Sequence, residues 1–138
     1  MSDPVTVTEA ALLARDQESQ PWQQAVVAVL SGPLDRADLI NRVRERIEYS
    51  PRFRRLVDGW PVPAWVDDPH FSVAGHVHEE ALAPGQRLED WLAERLARPL
   101  ERVHPLWEAT LVQGLAPGTQ ALVVRAHPAL VDGYDNVH

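Results

Sequence analysis

The sequence predicts an α+β fold, a mixed sheet with flanking helices, and three observations predict it. Two segments, 34–49 and 86–98, carry apolar residues at helical spacing. Five others are short runs that are rich in valine or alternate apolar with polar residues, as strands do. With a short helix near the N-terminus, the elements follow in the order αβαββαββ, which is the layout of helices packed around one sheet.

The first helix is expected over Thr6 to Asp16, where Thr8 can cap it and Ala10, Ala11, Leu12 and Ala14 favour it. Residues 17–23 are polar and contain Pro21, so they form a loop. Ala25 to Leu30 reads as a buried strand, ended by Ser31-Gly32-Pro33. In the second helix, Leu34 to Tyr49, the apolar stripe is Leu39, Ile40, Val43 and Ile47. Asp35 and Asp38 lie in its first turn, where the helix dipole favours anions, and Ser50-Pro51 stops it. Arg52 to Val57 is read as an extended or turn segment with solvated arginines, in preference to a phosphate-binding cluster. Residues 58–70 are a loop with Trp60 and a short strand at Ala64 to Val66. Phe71 to His78 alternates and is read as a half-buried strand. Ala83-Pro84-Gly85 turns the chain into a third helix, Gln86 to Arg98, with Leu88, Trp91, Leu92 and Leu96 on its apolar face and Pro99 closing it. Trp107 to Gln113 and Gln120 to Arg125 are strands of a hairpin whose loop holds Gly114, Pro117 and Gly118.

The 138 residues suffice for one domain, 1–138, with apolar residues at 45% and charged residues at 24%. Cysteine is absent, which excludes a disulfide scaffold, a thiolate metal site and a cysteine nucleophile. All 13 basic residues are arginine, which excludes Schiff-base and phosphate-loop lysines. The net charge of −7, with no basic block, argues against nucleic acid as a partner. No apolar stretch reaches the length of a membrane span, and Met1-Ser2-Asp3-Pro4 does not open a secretory signal, so the expected compartment is the cytoplasm. The residues after Gly133, from Tyr134 to His138, look like the start of a helix cut short, which suggests a fragment or half of a larger sheet.

His76 and His78 would share one face of the expected strand. No third ligand follows at a recognisable spacing, so they are read as solvent-facing histidines and no metal site is expected. His104-Pro105-Leu106-Trp107 is read as a packing corner with Trp107 in the core. The segment that carries chemistry is His127-Pro128-Ala129-Leu130-Val131-Asp132-Gly133, at the end of an apolar strand. Acyl transfer to an alcohol needs a base to take the hydroxyl proton as the oxygen attacks the thioester carbonyl, and imidazole suits that task near neutral pH.

That segment resembles the HHxxxDG motif of chloramphenicol-acetyltransferase-like acyltransferases, and most of all the bacterial wax ester synthase/diacylglycerol acyltransferase family. Arg98-Pro99-Leu100 with His104-Pro105-Leu106-Trp107-Glu108 resembles the family's RPLDRSRPLWE stretch. Leu111 to Gly114 and Gly118 to His127 resemble the hairpin leading into its histidine motif, and His76 to Pro84 the strand that opens with HVRH and closes at LP. The resemblance runs from about residue 5 to the end of the chain. It implies the N-terminal half of a two-half fold, with acyl-CoA as co-substrate and no tightly bound cofactor. It implies synthesis of lipid esters from a long-chain alcohol or diacylglycerol, and Trp107 beside the substrate channel. It also admits peripheral contact with a membrane or lipid droplet.

Two departures qualify what is implied. His127 matches the first histidine of the motif, mainly structural in the family, while the second, the catalytic base, falls at Pro128; Asp132 and Gly133 match the Asp-Gly. Proline has no titratable group, so the expected base is missing. His127 would point to the opposite side in an extended segment, and Asp132, Tyr134 and His138 are the remaining candidates to replace it. The chain also stops after the first half's motif, so the C-terminal half is expected to be absent. The chain alone is therefore expected to be inactive, and to self-associate or to meet a partner chain carrying the other half. The alternatives are a non-catalytic lipid-binding or partner module and a condensation-type domain of peptide or polyketide assembly.

Overall fold

The computed structural model describes residues 3–4, 24–31, 34–59, 64–101 and 104–130. The helix expected over Thr6 to Asp16, Trp60 and the segment from Val131 onward lie outside the described residues.

Among the described residues seven strands form two sheets, not the single sheet that the element order suggests. β1 (Asp3–Pro4), β4 (Ala64–Asp67) and β3 (Arg55–Asp58) make a small antiparallel sheet in the order β1-β4-β3. β2 (Gln24–Ser31), β7 (Thr119–Ala126), β6 (Trp107–Gln113) and β5 (Val77–Ala81) make the main sheet in the order β2-β7-β6-β5. Its β2/β7 and β7/β6 pairs are antiparallel, and β6/β5 is parallel. A parallel pair needs a long crossover, and helix α3 (Leu88–Leu96) lies within the one between β5 and β6.

The two faces of the main sheet follow from the period of two along β6 and β7. Trp107, Ala109 and Leu111 pair with Ala126, Val124 and Leu122 and face helix α1 (Arg36–Ile47), which contributes Leu39 and Ile47 to the larger core. Val112 pairs with Ala121 on the opposite face, where both join Val123 and Trp91 of α3 in a second cluster. Asp35 caps α1, its Oδ1 accepting the Asp38 N–H at 2.8 Å, so this acid is the cap itself and not a first-turn residue. The hairpin between β6 and β7 turns at Gly114 and Gly118, whose φ values of 92° and 74° favour glycine.

Three local expectations are corrected. Ala25 to Leu30 is strand, but among the described residues it is an edge rather than a buried one: Val26 is 68% and Val29 63% exposed. Phe71 to His78 is not one strand. Residues Val73–His76 form a helical turn, α2, and the strand starts at Val77. The Arg36 guanidinium holds that turn, donating to the carbonyls of Ala74 at 2.6 Å and Val77 at 2.9 Å. Finally, Arg52 is not solvated. It is buried in a 3-10 turn at Pro51–Arg54, with its guanidinium 5.1 Å from the centre of the Trp65 ring.

Candidate functional site

The site lies where β7 ends beside the start of β6. The His127 N–H donates to the Leu106 carbonyl at 2.9 Å, extending the strand pairing one residue past Ala126. Residues 128–130 are helical, and the Leu130 N–H returns to the His127 carbonyl at 3.0 Å. Pro128 thus occupies the first position of a helical turn, where its fixed φ suits the geometry and its missing N–H costs nothing. His127 acts as the cap: its Nδ1 accepts the Ala129 N–H at 3.1 Å.

This geometry constrains His127 chemically. A backbone amide can only donate, so Nδ1 must carry a lone pair and the proton of the neutral ring sits on Nε2. The lone pair that could accept a substrate proton is then already engaged. The ring is also 1% exposed. His127 is thus buried and engaged with the chain's own backbone. Pro128 is buried beside it. Asp132 and Gly133, and with them Tyr134 and His138, lie outside the described residues.

The Leu106-Trp107-Glu108 sequence shows why those residue types stand together. Successive strand residues point to opposite faces. Leu106 is fully buried, and Trp107 turns into the core, its Nε1–H donating to the Phe53 carbonyl at 2.7 Å. Glu108 turns to the other face and enters an ion-pair cluster. Arg125, directly across the ladder, donates to it from Nε at 2.8 Å. Arg95 of α3 reaches it at 3.4 Å and also pairs with Glu80. His78 stands 3.9 Å away. Arg125 further donates to the carbonyls of Arg95 and Arg98 at 2.8 and 2.9 Å, so it ties the C-terminal end of α3 to the sheet. Burial raises the Glu108 pKa, but the Arg125 hydrogen bond and the charges of Arg125, Arg95 and His78 outweigh it, and the carboxyl lies below its usual range. Sequence reading missed this cluster; its one signal is the Trp-Glu alternation at the start of a strand.

His76 and His78 do not share a strand face as expected. His76 sits in the α2 turn, its ring stacked on Trp107 with centres 4.8 Å apart and its Nδ1 donating to the Trp107 carbonyl at 2.8 Å. His104 stands edge-on to it at 6.4 Å. Burial pushes the His76 pKa down; the Trp107 carbonyl opposes this and His104 adds to it. His76, His78 and His104 line a cleft of about 520 Å³ together with Trp107, Arg98 and Glu108. No three His, Asp or Glu side chains among the described residues are arranged to hold a metal ion. Trp107 is thus both a core residue, as expected, and a wall of this cleft.

Comparison with known proteins gives the architecture a family. The model of the wax ester synthase/diacylglycerol acyltransferase catalytic domain matches residues 2–138. A probable diacylglycerol O-acyltransferase of Mycobacterium tuberculosis is 32% identical, the match covering 94% of this chain and 51% of that protein. A second from the same organism is 31% identical over 97% of this chain and 31% of its own length. The chain therefore spans about half of the first relative and about a third of the second. Among solved structures, the wax ester synthase/diacylglycerol acyltransferase from Marinobacter aquaeolei VT8 superposes with a TM-score of 0.77 at 26% identity, covering 98% of this chain and 35% of that one. The starter condensation domain of rhizomide synthetase superposes with a TM-score of 0.74 at 17% identity, covering 99% and 36%, and shares the fold. The chain belongs to the wax ester synthase/diacylglycerol acyltransferase family, and its α+β architecture corresponds to half of that family's two-half fold.

Proposed function

We propose that this chain is the N-terminal half of an acyl-CoA-dependent O-acyltransferase of lipid ester synthesis, and that by itself it does not catalyse the reaction. In that reaction the acceptor hydroxyl oxygen attacks the thioester carbonyl, a base takes the hydroxyl proton, and the CoA thiol leaves. The observation that carries the reading is the His127-Pro128 pair. His127 spends its Nδ1 lone pair on the Ala129 amide, and Pro128, in the place of the base, has nothing that titrates. Loss of a general base costs about 10²- to 10⁴-fold in rate. One half by itself also lacks the substrate positioning that a facing half of the channel would supply.

The names of the relatives support diacylglycerol or a long-chain alcohol as the acceptor. A starter condensation domain of this fold has been solved with C8-CoA, which supports a fatty acyl thioester as donor. In this reading the channel is complete only against a facing half. The exposed valines of β2 support a docking surface for one. The surroundings this reading expects are the cytoplasm and the surface of a membrane or lipid droplet; no described helix is long and apolar enough to cross a membrane.

The test is turnover of palmitoyl-CoA with hexadecanol or dioleoylglycerol. The purified chain should release no CoA above background. Pro128→His alone should remain inactive, and Pro128→His mixed with the C-terminal half of a relative should gain activity. Turnover by the unaltered chain at the rates of its relatives refutes the reading. A non-catalytic lipid-binding module is the second reading, favoured by the apolar groove under α1, and it survives if Pro128→His with a second half stays inactive. The condensation-type alternative rests on shared fold alone.

A further inference from the structure

One contact in the histidine cleft depends on charge. The chain between β4 and β5, residues 68–76, closes on the start of β6 through an aromatic cluster. The His76 ring is stacked on Trp107, with centres 4.8 Å apart, and Phe71 packs against it at 5.2 Å. Its Nδ1–H donates to the Trp107 carbonyl. A carbonyl can only accept, so the neutral ring carries its proton on Nδ1 and keeps a lone pair at Nε2. A second proton therefore adds at Nε2 and puts a charge on a ring packed against indole and phenyl. Attraction between a cation and the indole face offsets part of that cost. Burial nevertheless outweighs it and holds the His76 pKa below its usual 6.5.

The charges around His76 do not compensate the added proton. On its own segment Asp68 attracts it, and His70 lines the same cleft. β5 brings His78, β6 brings Glu108, α3 brings Arg95, β7 brings Arg125, and the loop after α3 brings Arg98, Glu101 and His104. Glu108 is engaged by Arg125 and Arg95, and Glu101 stands 3.8 Å from His104. His104 meets His76 edge-on at 6.4 Å from the opposite wall, so two protonated rings there would repel. The rest of the segment is lightly held. Val73 is the one buried residue among 68–76. Its two ends are pinned, by the Asp68 N–H on the Arg54 carbonyl at 3.0 Å and by Arg36 on the carbonyls of Ala74 and Val77. Motion of the aromatic cluster between those pins leaves both sheets intact.

We infer that His76 and His104 form a pH-operated latch on the cleft: with both rings neutral, His76 rests on Trp107 and the cleft is narrow, and with both protonated, His76 leaves the indole and the cleft widens. Imidazole is the side chain that changes charge near neutral pH, so the latch works in the mildly acid range. The inference concerns the shape of the cleft and does not depend on acyl transfer.

The test is proton NMR of the histidine rings in the whole chain from pH about 7.5 to about 5, where imidazole takes up its proton. The stacked His76 ring should show an upfield ring-current shift at the top of this range and lose it with a midpoint below 6.5. The Phe71 ring resonances should move in step. His104→Gln, at an exposed position, should raise the midpoint by about half a unit, the effect of one charge at that distance in a water-like medium. In His76→Phe, whose ring cannot charge, the Phe71 resonances should stay constant over the range. A His76 ring that keeps its upfield shift down to the end of the range, protonated or not, overturns the inference. So does an unchanged midpoint in His104→Gln. Loss of the shift together with amide protection in β6 and β7 is global unfolding and also overturns it. These readouts are separate from turnover, so failure of the acyl-transfer reading leaves them intact.

Discussion

At the scale of single residues, Glu108 and His76 set how the fold responds to acid. Arg125 is buried, and Glu108 is the carboxylate that neutralises it. Glu108→Gln should therefore cost about 3–5 kcal/mol of stability, since it leaves a buried guanidinium uncompensated; urea denaturation at neutral pH measures it. The pH dependence follows from the two displaced pKa values. Glu108 lies below its usual 4.5, so its contribution is full above that pH and is lost as pH falls through the lowered value. His76 lies below 6.5, so the unfolded chain takes up a proton first, and stability declines as pH falls below 6.5. His76→Phe should cost about 1 kcal/mol for the lost bond to the Trp107 carbonyl, and should flatten the decline that begins at pH 6.5. Denaturation midpoints taken across that range check it; an unchanged slope would show that another group titrates there. At this scale the meaning of Pro128 is legible from residue identity alone, because a ring that cannot titrate is a chemical fact. The sequence carries no sign that Arg125 and Arg95 converge on Glu108, because they come from three separate elements.

At the scale of elements, the strand pattern of β6 and β7 and the stripes of α1 and α3 were legible because burial on one or two faces imposes their periods. The segment at residues 71–78 was not. Its alternation suits a strand, yet Arg36, 38 residues from Ala74, holds two of its carbonyls and stabilises a turn that the local pattern does not encode. β2 was misread for a related reason: an apolar run of valines signals a strand but not its place in the sheet. Among the described residues β2 is an edge, uncharged over its eight residues, with valines exposed on both faces. Such edges invite pairing with another chain. The chain should self-associate at micromolar concentration. The double variant Val27→Lys, Val29→Lys should shift it toward monomer with a stability change within about 0.5 kcal/mol, as for most exposed positions. Sedimentation velocity decides this, and a parent chain that is monomeric throughout that range would refute it.

At the scale of the whole molecule, the described residues form two cores, one on each face of a mixed sheet, with the histidine segment where the sheet ends beside the first of them. The resemblance to the family implies chemistry between two such halves. The whole-molecule prediction is complementation. Mixing Pro128→His with a relative's C-terminal half should raise CoA release by at least about 100-fold over the same mixture made with Pro128, the low end of what a general base contributes. Equal rates with proline and histidine would show that the base comes from elsewhere.

Sequence alone determined the α+β class, the family resemblance and the absence of an imidazole at position 128, because these depend on residue identity and on periods set by the backbone itself. Tertiary structure decided which strand is an edge, why residues 73–76 coil, where Glu108 finds its arginines, and that the lone pair of His127 is held by the chain's own amide. Each of these is a contact between groups distant in sequence or a choice among local geometries, and its free energy exists only once the elements have packed.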